Sequence, residues 1–146
     1  MANIHIVTGS VMGTAEGVAQ SAHKILEQLG HTVFAHETFS VENFDENAIL
    51  LVCTSSTGMG DLPENIIPFY HFLLSPDRSL AGMKYGIISL GDSSYPNFAQ
   101  AGIHLDETLA DLGAVRLGDR LIMDAILVED HQQEASTWIK EWATLL

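Results

Sequence analysis

Apolar and polar positions along the chain follow two alternating patterns, which predict strands and helices in turn. Short apolar runs rich in β-branched residues predict five strands, at 3–7, 31–36, 48–54, 84–90 and 114–123. Between these runs the apolar positions recur at helical spacing. Such alternation is typical of an α/β protein in which helices cover both faces of a parallel sheet.

Four helices are predicted from these stripes. The first begins near Thr14 and ends at Gly30, where a left-handed cap is expected. The second is expected to begin at an Asp61 cap with Pro63 in its first turn. Its buried face is predicted as Ile66, Ile67, Tyr70, Leu73 and Leu74. The third ends at Leu112, and the fourth spans 131–146 with Trp138, Ile139, Trp142 and Leu145 turned inward.

Length and composition predict one folded domain over residues 1–146, because 47% of the chain is hydrophobic. The longest apolar run, 48–53, is far shorter than the ~20 residues that span a bilayer. The amino terminus has no basic stretch followed by a long apolar one, so nothing in it predicts secretion. The single cysteine, Cys53, cannot form an internal disulfide and is expected to be a buried small hydrophobe. A cytoplasmic location is therefore expected.

The chain is strongly acidic: 19 acidic against six basic residues give a net charge of −13. Such a charge argues against nucleic acid and anionic membranes as partners, because both need basic residues to neutralise phosphate. It favours encounter with basic protein surfaces, although solubility alone is an equally simple interpretation. The seven histidines show no metal-ligand spacing, so no metal site is predicted.

Three Ser/Thr/Gly-rich loops, at 8–16, 54–63 and 90–98, follow the first, third and fourth strands. Because the strands are parallel, these loops should meet at the carboxyl edge of the sheet, where ligands bind in such folds. The first loop opens into a helix, so its hydroxyl and amide groups suit an anion. It lacks the lysine of a Walker loop and the Gly-x-Gly-x-x-Gly spacing of a dinucleotide site. A mononucleotide phosphate is therefore the favoured ligand, and an ordinary strand-to-helix turn is the alternative.

The three loops resemble those of flavodoxins. Thr-Gly-Ser-x-x-Gly-Thr-Ala-Glu is similar to the family's phosphate loop. Ser-Thr-Gly-x-Gly-Asp-x-Pro and Leu-Gly-Asp-Ser-x-Tyr-x-x-Phe resemble its two isoalloxazine loops. The chain also resembles the FMN modules of sulfite reductase and diflavin reductases, and its length and ending look most like small bacterial MioC-type flavodoxins. The resemblance implies non-covalent FMN and a flavodoxin-like three-layer, doubly wound fold with a five-stranded parallel sheet of order 2-1-3-4-5.

Residue by residue, the resemblance implies three groups of FMN-binding residues and no catalytic ones. The phosphate would be bound by Ser10, Val11, Met12, Gly13, Thr14 and Ala15. One edge of the ring would be lined by Ser55, Ser56, Thr57 and Gly58, and the Gly58 carbonyl would turn toward flavin N5 on one-electron reduction. The other edge would be lined by Leu90, Gly91, Asp92, Ser93, Ser94, Tyr95, Asn97 and Phe98, with Tyr95 stacked on the ring. Many relatives have an aromatic residue where Thr57 stands; Asp124 is left out of the site.

The function that this resemblance implies is single-electron transfer between a reductase and an acceptor enzyme, rather than catalysis by the chain itself. The MioC resemblance implies biotin synthase as that acceptor. The alternative is an enzyme, an NAD(P)H- or quinone-dependent FMN reductase that uses the open face of the flavin. A signalling receiver would need paired acids after the first strand and a lysine after the fifth, and neither is present. A flavin-free interaction module is the remaining alternative.

Overall fold

The computed structural model describes residues 2–10, 14–36, 39–56, 61–75, 79–92, 94, 99–124 and 130–146. The strands are β1 (Asn3–Gly9), β2 (Thr32–His36), β3 (Ile49–Ser55), β4 (Lys84–Gly91), β5 (Val115–Arg116) and β6 (Leu121–Asp124). The helices are α1 (Thr14–Gln28), α2 (Ile67–Leu73), α3 (Gln100–Asp111) and α4 (His131–Ala143). Two 3₁₀ turns span Val41–Asn43 and Glu64–Ile66; the second is called the 64–66 turn below.

All strand pairs are parallel, and the order β2-β1-β3-β4-β5 confirms the predicted order. The predicted single strand at 114–123 is wrong in its continuity. It forms two short strands along β4, with β5 opposite Lys84 and Tyr85 and β6 opposite residues 88–91. Gly118 lies between them with a φ of 71°, a left-handed conformation that interrupts an extended chain.

Each face of the sheet has its own apolar core, which gives the three layers that the resemblance implies. On one face, residues of β1 and β3 pack against the buried stripes of α1 and α4, with Leu26 and Ile139 fully buried. On the other face, Leu50 and Val52 of β3 pack with Phe69 of α2 and Leu105 of α3. None of the helices in the described residues is long and apolar enough to cross a membrane.

The second helix differs most from its prediction. It begins at Ile67, after the 64–66 turn, and Asp61 is exposed outside it rather than capping it. A 3₁₀ turn has three residues per turn, whereas an α-helix has about 3.6, so it changes which residues of the following helix face the core. The buried residues are consequently Ile66, Phe69, Phe72 and Leu73, while Ile67 and Tyr70 are half-buried and Leu74 is 56% exposed.

The end of the fourth helix also differs from its prediction. Leu145 was expected to face inward, but α4 ends at Ala143 and Leu145 is about half exposed. Ile139 and Trp142 are buried as predicted, and Trp138 is half-buried and stacks on Trp142. The first helix ends close to its predicted stop, followed by Gly30 with a φ of 94°.

A buried carboxylate joins α3 to the divided fifth strand. Asp106 accepts hydrogen bonds from the Tyr85 hydroxyl at one oxygen and from Arg116 and Arg120 at the other, the last at 2.7 Å. Burial by itself would raise the pKa of Asp106. The hydrogen bonds from Tyr85, Arg120 and Arg116 outweigh that effect and hold the pKa below its usual value.

Candidate functional site at the carboxyl edge

The carboxyl ends of β1, β3 and β4 lie side by side and bring the starts of the three loops together. Gly9 is opposite Thr54, and Ser55 is opposite Leu90. The Ser55 hydroxyl reaches the Gly9 carbonyl at 3.4 Å. The site at this edge is therefore built on three neighbouring central strands.

The first loop connects β1 directly to the amino terminus of α1. The Ser10 amide donates to Oδ1 of Asn65 at 3.0 Å, which ties this loop to the 64–66 turn. Thr14 is exposed as the first residue of α1. Since the first N–H groups of a helix have no partner within it, they can bind an anion. Val11, Met12 and Gly13, the rest of the predicted phosphate set apart from Ala15, lie outside the described residues.

Ala15 is fully buried and connects the start of α1 to β3. Its carbonyl accepts a hydrogen bond from the Cys53 thiol at 3.3 Å. Burial raises the pKa of Cys53 to about 12, so the thiol stays protonated and unreactive. This confirms the interpretation of Cys53 as a buried small hydrophobe.

Ser56 joins the second loop to the third. Its amide donates to the Leu90 carbonyl at 3.0 Å. Its hydroxyl accepts from the Ala101 amide at 3.0 Å, which caps the first turn of α3 from a different part of the chain. Thr57 and Gly58 lie outside the described residues, so the predicted carbonyl movement at Gly58 stays a prediction.

The start of α3 is held close to β4 by a buried serine. The Ser89 hydroxyl donates to the Ala99 carbonyl at 2.9 Å, and a Cβ at Gly102 would overlap the Ser89 side chain. Ala99 has a φ of 55°, which costs a residue with a side chain about 1–2 kcal/mol. The chain therefore enters α3 through Ala99, a strained residue whose carbonyl accepts a hydrogen bond from Ser89.

The third loop starts with Leu90 and Gly91, and Asp92 then organises its own turn. One carboxylate oxygen of Asp92 accepts from the Ser94 amide at 2.8 Å and from the Ser94 hydroxyl at 2.6 Å. Four more residues predicted to bind FMN lie outside the described residues: Ser93, Tyr95, Asn97 and Phe98. The predicted stacking of Tyr95 on a flavin therefore stays a prediction.

Two residues outside the predicted set lie at this edge. Asn65 bonds the first loop, and Asp124, the last residue of β6, pairs with Gly91 and is 7% exposed. No local signal marks Asn65, because its partner Ser10 lies 55 positions away. Asp124 comes directly after the predicted fifth strand (114–123), and this position was the sequence signal that could have placed it at the site.

A cavity of about 370 Å³ lies beside the first loop, toward β2. Its lining includes Thr8, Glu16, His23, His36 and Asn65. His36 does not point to a metal site, since its Nε2 lies 2.9 Å from Nδ1 of buried His5. Burial, with the nearby His5, lowers the pKa of His36 to about 4. Within the described residues no group of three His, Cys, Asp or Glu side chains could hold a metal ion.

Charge is distributed unequally between the two edges of the sheet. Acidic residues surround the carboxyl edge: Glu16, Asp61, Glu64, Asp92, Asp124, Asp130 and Glu134. Among the described residues no lysine or arginine lies in those loops or in the first turns of the helices that follow. Lys84 begins β4 and Lys140 is in the last turn of α4, both toward the opposite edge. The candidate site therefore lies at an acidic edge whose described loops and helix starts carry no basic residue.

A sequence model of one family, described as flavodoxin, matches residues 6–142. The chain is a member of the flavodoxin family. Members of this family are FMN-binding electron carriers that work with redox partner proteins, as the resemblance of the three loops implied.

Full-length relatives support the same assignment. The chain is 40% identical to Flavodoxin YqcA of Pectobacterium carotovorum subsp. carotovorum, covering 100% of this chain and 98% of that protein. It is 34% identical to Protein MioC of Escherichia coli, covering 100% and 99%. A solved cysteine-to-alanine mutant of flavodoxin from Pseudomonas aeruginosa superposes with a TM-score of 0.91 at 35% identity, covering 99% and 98%. The predicted similarity to MioC-type flavodoxins is confirmed.

The donor groups of this flavodoxin fit FMN. Hydroxyl groups of Ser10, Ser55 and Ser56 lie at the ends of the adjacent strands β1 and β3, and that of Thr14 lies at the start of α1. A phosphate at the start of α1 would be bound by neutral donors and the positive end of the helix. The two other loops begin at the ends of the adjacent strands β3 and β4, where the Ser56 amide donates to the Leu90 carbonyl.

Proposed function

We propose that this flavodoxin binds one FMN and carries single electrons between a reductase and an acceptor enzyme in the cytoplasm. The observation that carries the proposal is the joining of the three loops at one sheet edge by the Ser55–Gly9 and Ser56–Leu90 hydrogen bonds. Residues 1–146 act in it as one FMN-binding domain. The chain itself supplies no catalytic residue in this proposal.

In the proposed complex, FMN supplies the one-electron redox chemistry and the protein supplies binding and electrostatics. Ser10 and the start of α1 hold the phosphate, and the loops that begin at Ser55 and Leu90 hold the ring. The roles proposed for Gly58 and Tyr95 rest on the family resemblance. The negative carboxyl edge disfavours added negative charge on the bound group, which lowers the potential of the second reduction step.

The same negative edge supports basic-surfaced redox partners. Acidic residues around the proposed flavin site attract a partner to the face through which electrons leave. Arg116 and Arg120 do not oppose this attraction, because both pair with the buried Asp106 carboxylate of α3. We propose biotin synthase as an acceptor on the similarity to Protein MioC, which is a hypothesis about one partner and separate from the carrier function.

The test is a visible spectrum of the desalted protein after addition of FMN, followed by stepwise anaerobic reduction. Flavin bands that survive desalting, and a new long-wavelength band at half reduction, are expected of a one-electron carrier. Binding without that band would favour the alternative of a two-electron reductase, as would steady-state NAD(P)H oxidation by the chain alone. Absence of binding would contradict the proposal.

A second measurement tests partner docking. Glu64→Lys reverses a charge at the negative edge, and Asp111→Lys makes the same change at the far end of α3. Electron transfer to biotin synthase should be slower with Glu64→Lys than with the wild type and should change little with Asp111→Lys. With the wild type, electron transfer should become slower as salt is added. Equal effects of the two variants would contradict docking through this edge.

A further inference from the structure

The 64–66 turn packs directly on the last residue of β1. A Cβ added at Gly9 would lie 2.9 Å from the Ile66 side chain and 2.6 Å from the Thr54 hydroxyl. Ile66 is fully buried there. Only a residue without a side chain allows this approach, so Gly9 sets the distance between the turn and the first loop.

That close approach brings Asn65 to the first loop. Ile66 faces the core, whereas its neighbour Asn65 is exposed and places Oδ1 3.0 Å from the Ser10 amide. Ser10 is the first residue after β1 and the first of the proposed phosphate-binding residues. The contact therefore orients a backbone amide at the entrance to the proposed phosphate site.

We propose that Asn65 is a positioning residue that fixes the Ser10 backbone at the start of the phosphate-binding segment and thereby supports the preference for phosphorylated flavin over riboflavin. This inference rests on the proposed function. An amide side chain suits the role, because it accepts the Ser10 N–H while adding no negative charge beside a bound phosphate. An aspartate would make the same hydrogen bond but would repel the phosphate.

Two variants separate these properties. Asn65→Asp keeps the acceptor and adds a charge, whereas Asn65→Ala removes the acceptor. Asn47→Asp is the matched control, because it makes the same change at an exposed position just before β3, at the opposite edge. The dissociation constants of FMN and riboflavin are measured for each protein by quenching of flavin fluorescence, at low and at high salt.

Asn65→Asp should weaken FMN binding about tenfold or more at low salt and change riboflavin binding by less than about twofold, with a smaller FMN effect at high salt. Asn65→Ala should weaken FMN binding several-fold, because the Ser10 backbone loses its fixed orientation. Asn47→Asp should match the wild type. Equal losses for both flavins, or no loss of FMN affinity in either Asn65→Asp or Asn65→Ala, would overturn the inference.

A readout without flavin tests the contact itself. In the apoprotein, hydrogen exchange at the Ser10 amide should be slower in the wild type and Asn65→Asp than in Asn65→Ala. Equal exchange in all three would overturn the positioning role. If the wild type bound neither flavin, the proposed function would fail, whereas the exchange result would still report on the hydrogen bond.

Discussion

Replacement of Asp106 by asparagine should destabilise the apoprotein by about 2 kcal/mol near neutral pH. Asp106 is 3% exposed, and its carboxylate accepts from Tyr85 and from both Arg116 and Arg120. Removal of one partner from a buried ion pair costs about 3–5 kcal/mol. The two arginine side chains are about one third exposed and regain water, so the expected loss falls below that range, to about 2 kcal/mol.

The pH dependence of this loss follows from the lowered pKa of Asp106. A carboxyl with a lower pKa in the folded than in the unfolded state stabilises the fold above its unfolded pKa, and this contribution falls as pH drops through its folded pKa. Protonation of the wild type then removes the same charge that the variant lacks. The difference in unfolding free energy between the two proteins should therefore be largest near neutral pH and should disappear in strong acid.

Urea unfolding of both apoproteins at a series of pH values measures this difference. The apoprotein is used because bound FMN would add its own stabilisation. Asp111→Asn, an exposed change on the same helix, is the control and should stay within about 0.5 kcal/mol of the wild type. A difference below about 0.5 kcal/mol for Asp106→Asn at neutral pH, or one that persists unchanged in strong acid, would refute the reasoning.

Two further predictions concern buried contacts on opposite faces of the sheet. His36 is 4% exposed and its pKa falls from 6.5 to about 4 on folding, so the unfolded chain binds the extra proton between these values. Stability should therefore decline as pH falls from about 6.5 to about 4, and His36→Gln should flatten that slope in urea unfolding; an equal slope in both proteins would contradict this. A Cβ at Gly86 would lie 2.6 Å from Nε1 of buried Trp142, so Gly86→Ala should cost about 1–3 kcal/mol of unfolding free energy. Gly17→Ala in α1, which meets only the flexible end of Gln132, should instead stabilise by about 0.5–1 kcal/mol, and equal losses would point away from the Trp142 contact.

Most of the strand and helix pattern was predictable, because it depends on residues close together in sequence. The first four strands lie within two residues of their predicted ends, since each is a short apolar run bounded by polar loops. The buried face of the second helix was not predictable, because the 64–66 turn changes the phase of that helix. Phe69 and Phe72 are buried there instead of Leu74. The interruption of the predicted fifth strand at Gly118 was also not predicted, because the sequence does not show that Gly118 has a positive φ.

The sequence by itself determined the class of the fold, the order of its elements and the family, because periodicity and three loop motifs are local properties. Only the tertiary structure decided which distant residues act on those loops. Asn65 bonds Ser10 across 55 positions, and Ser56 caps the Ala101 amide across 45. Both contacts depend on the parallel register of β1, β3 and β4 and on the close packing that Gly9 and Gly102 permit. Register and packing distance arise from the whole sheet, so no local stretch of sequence specifies them.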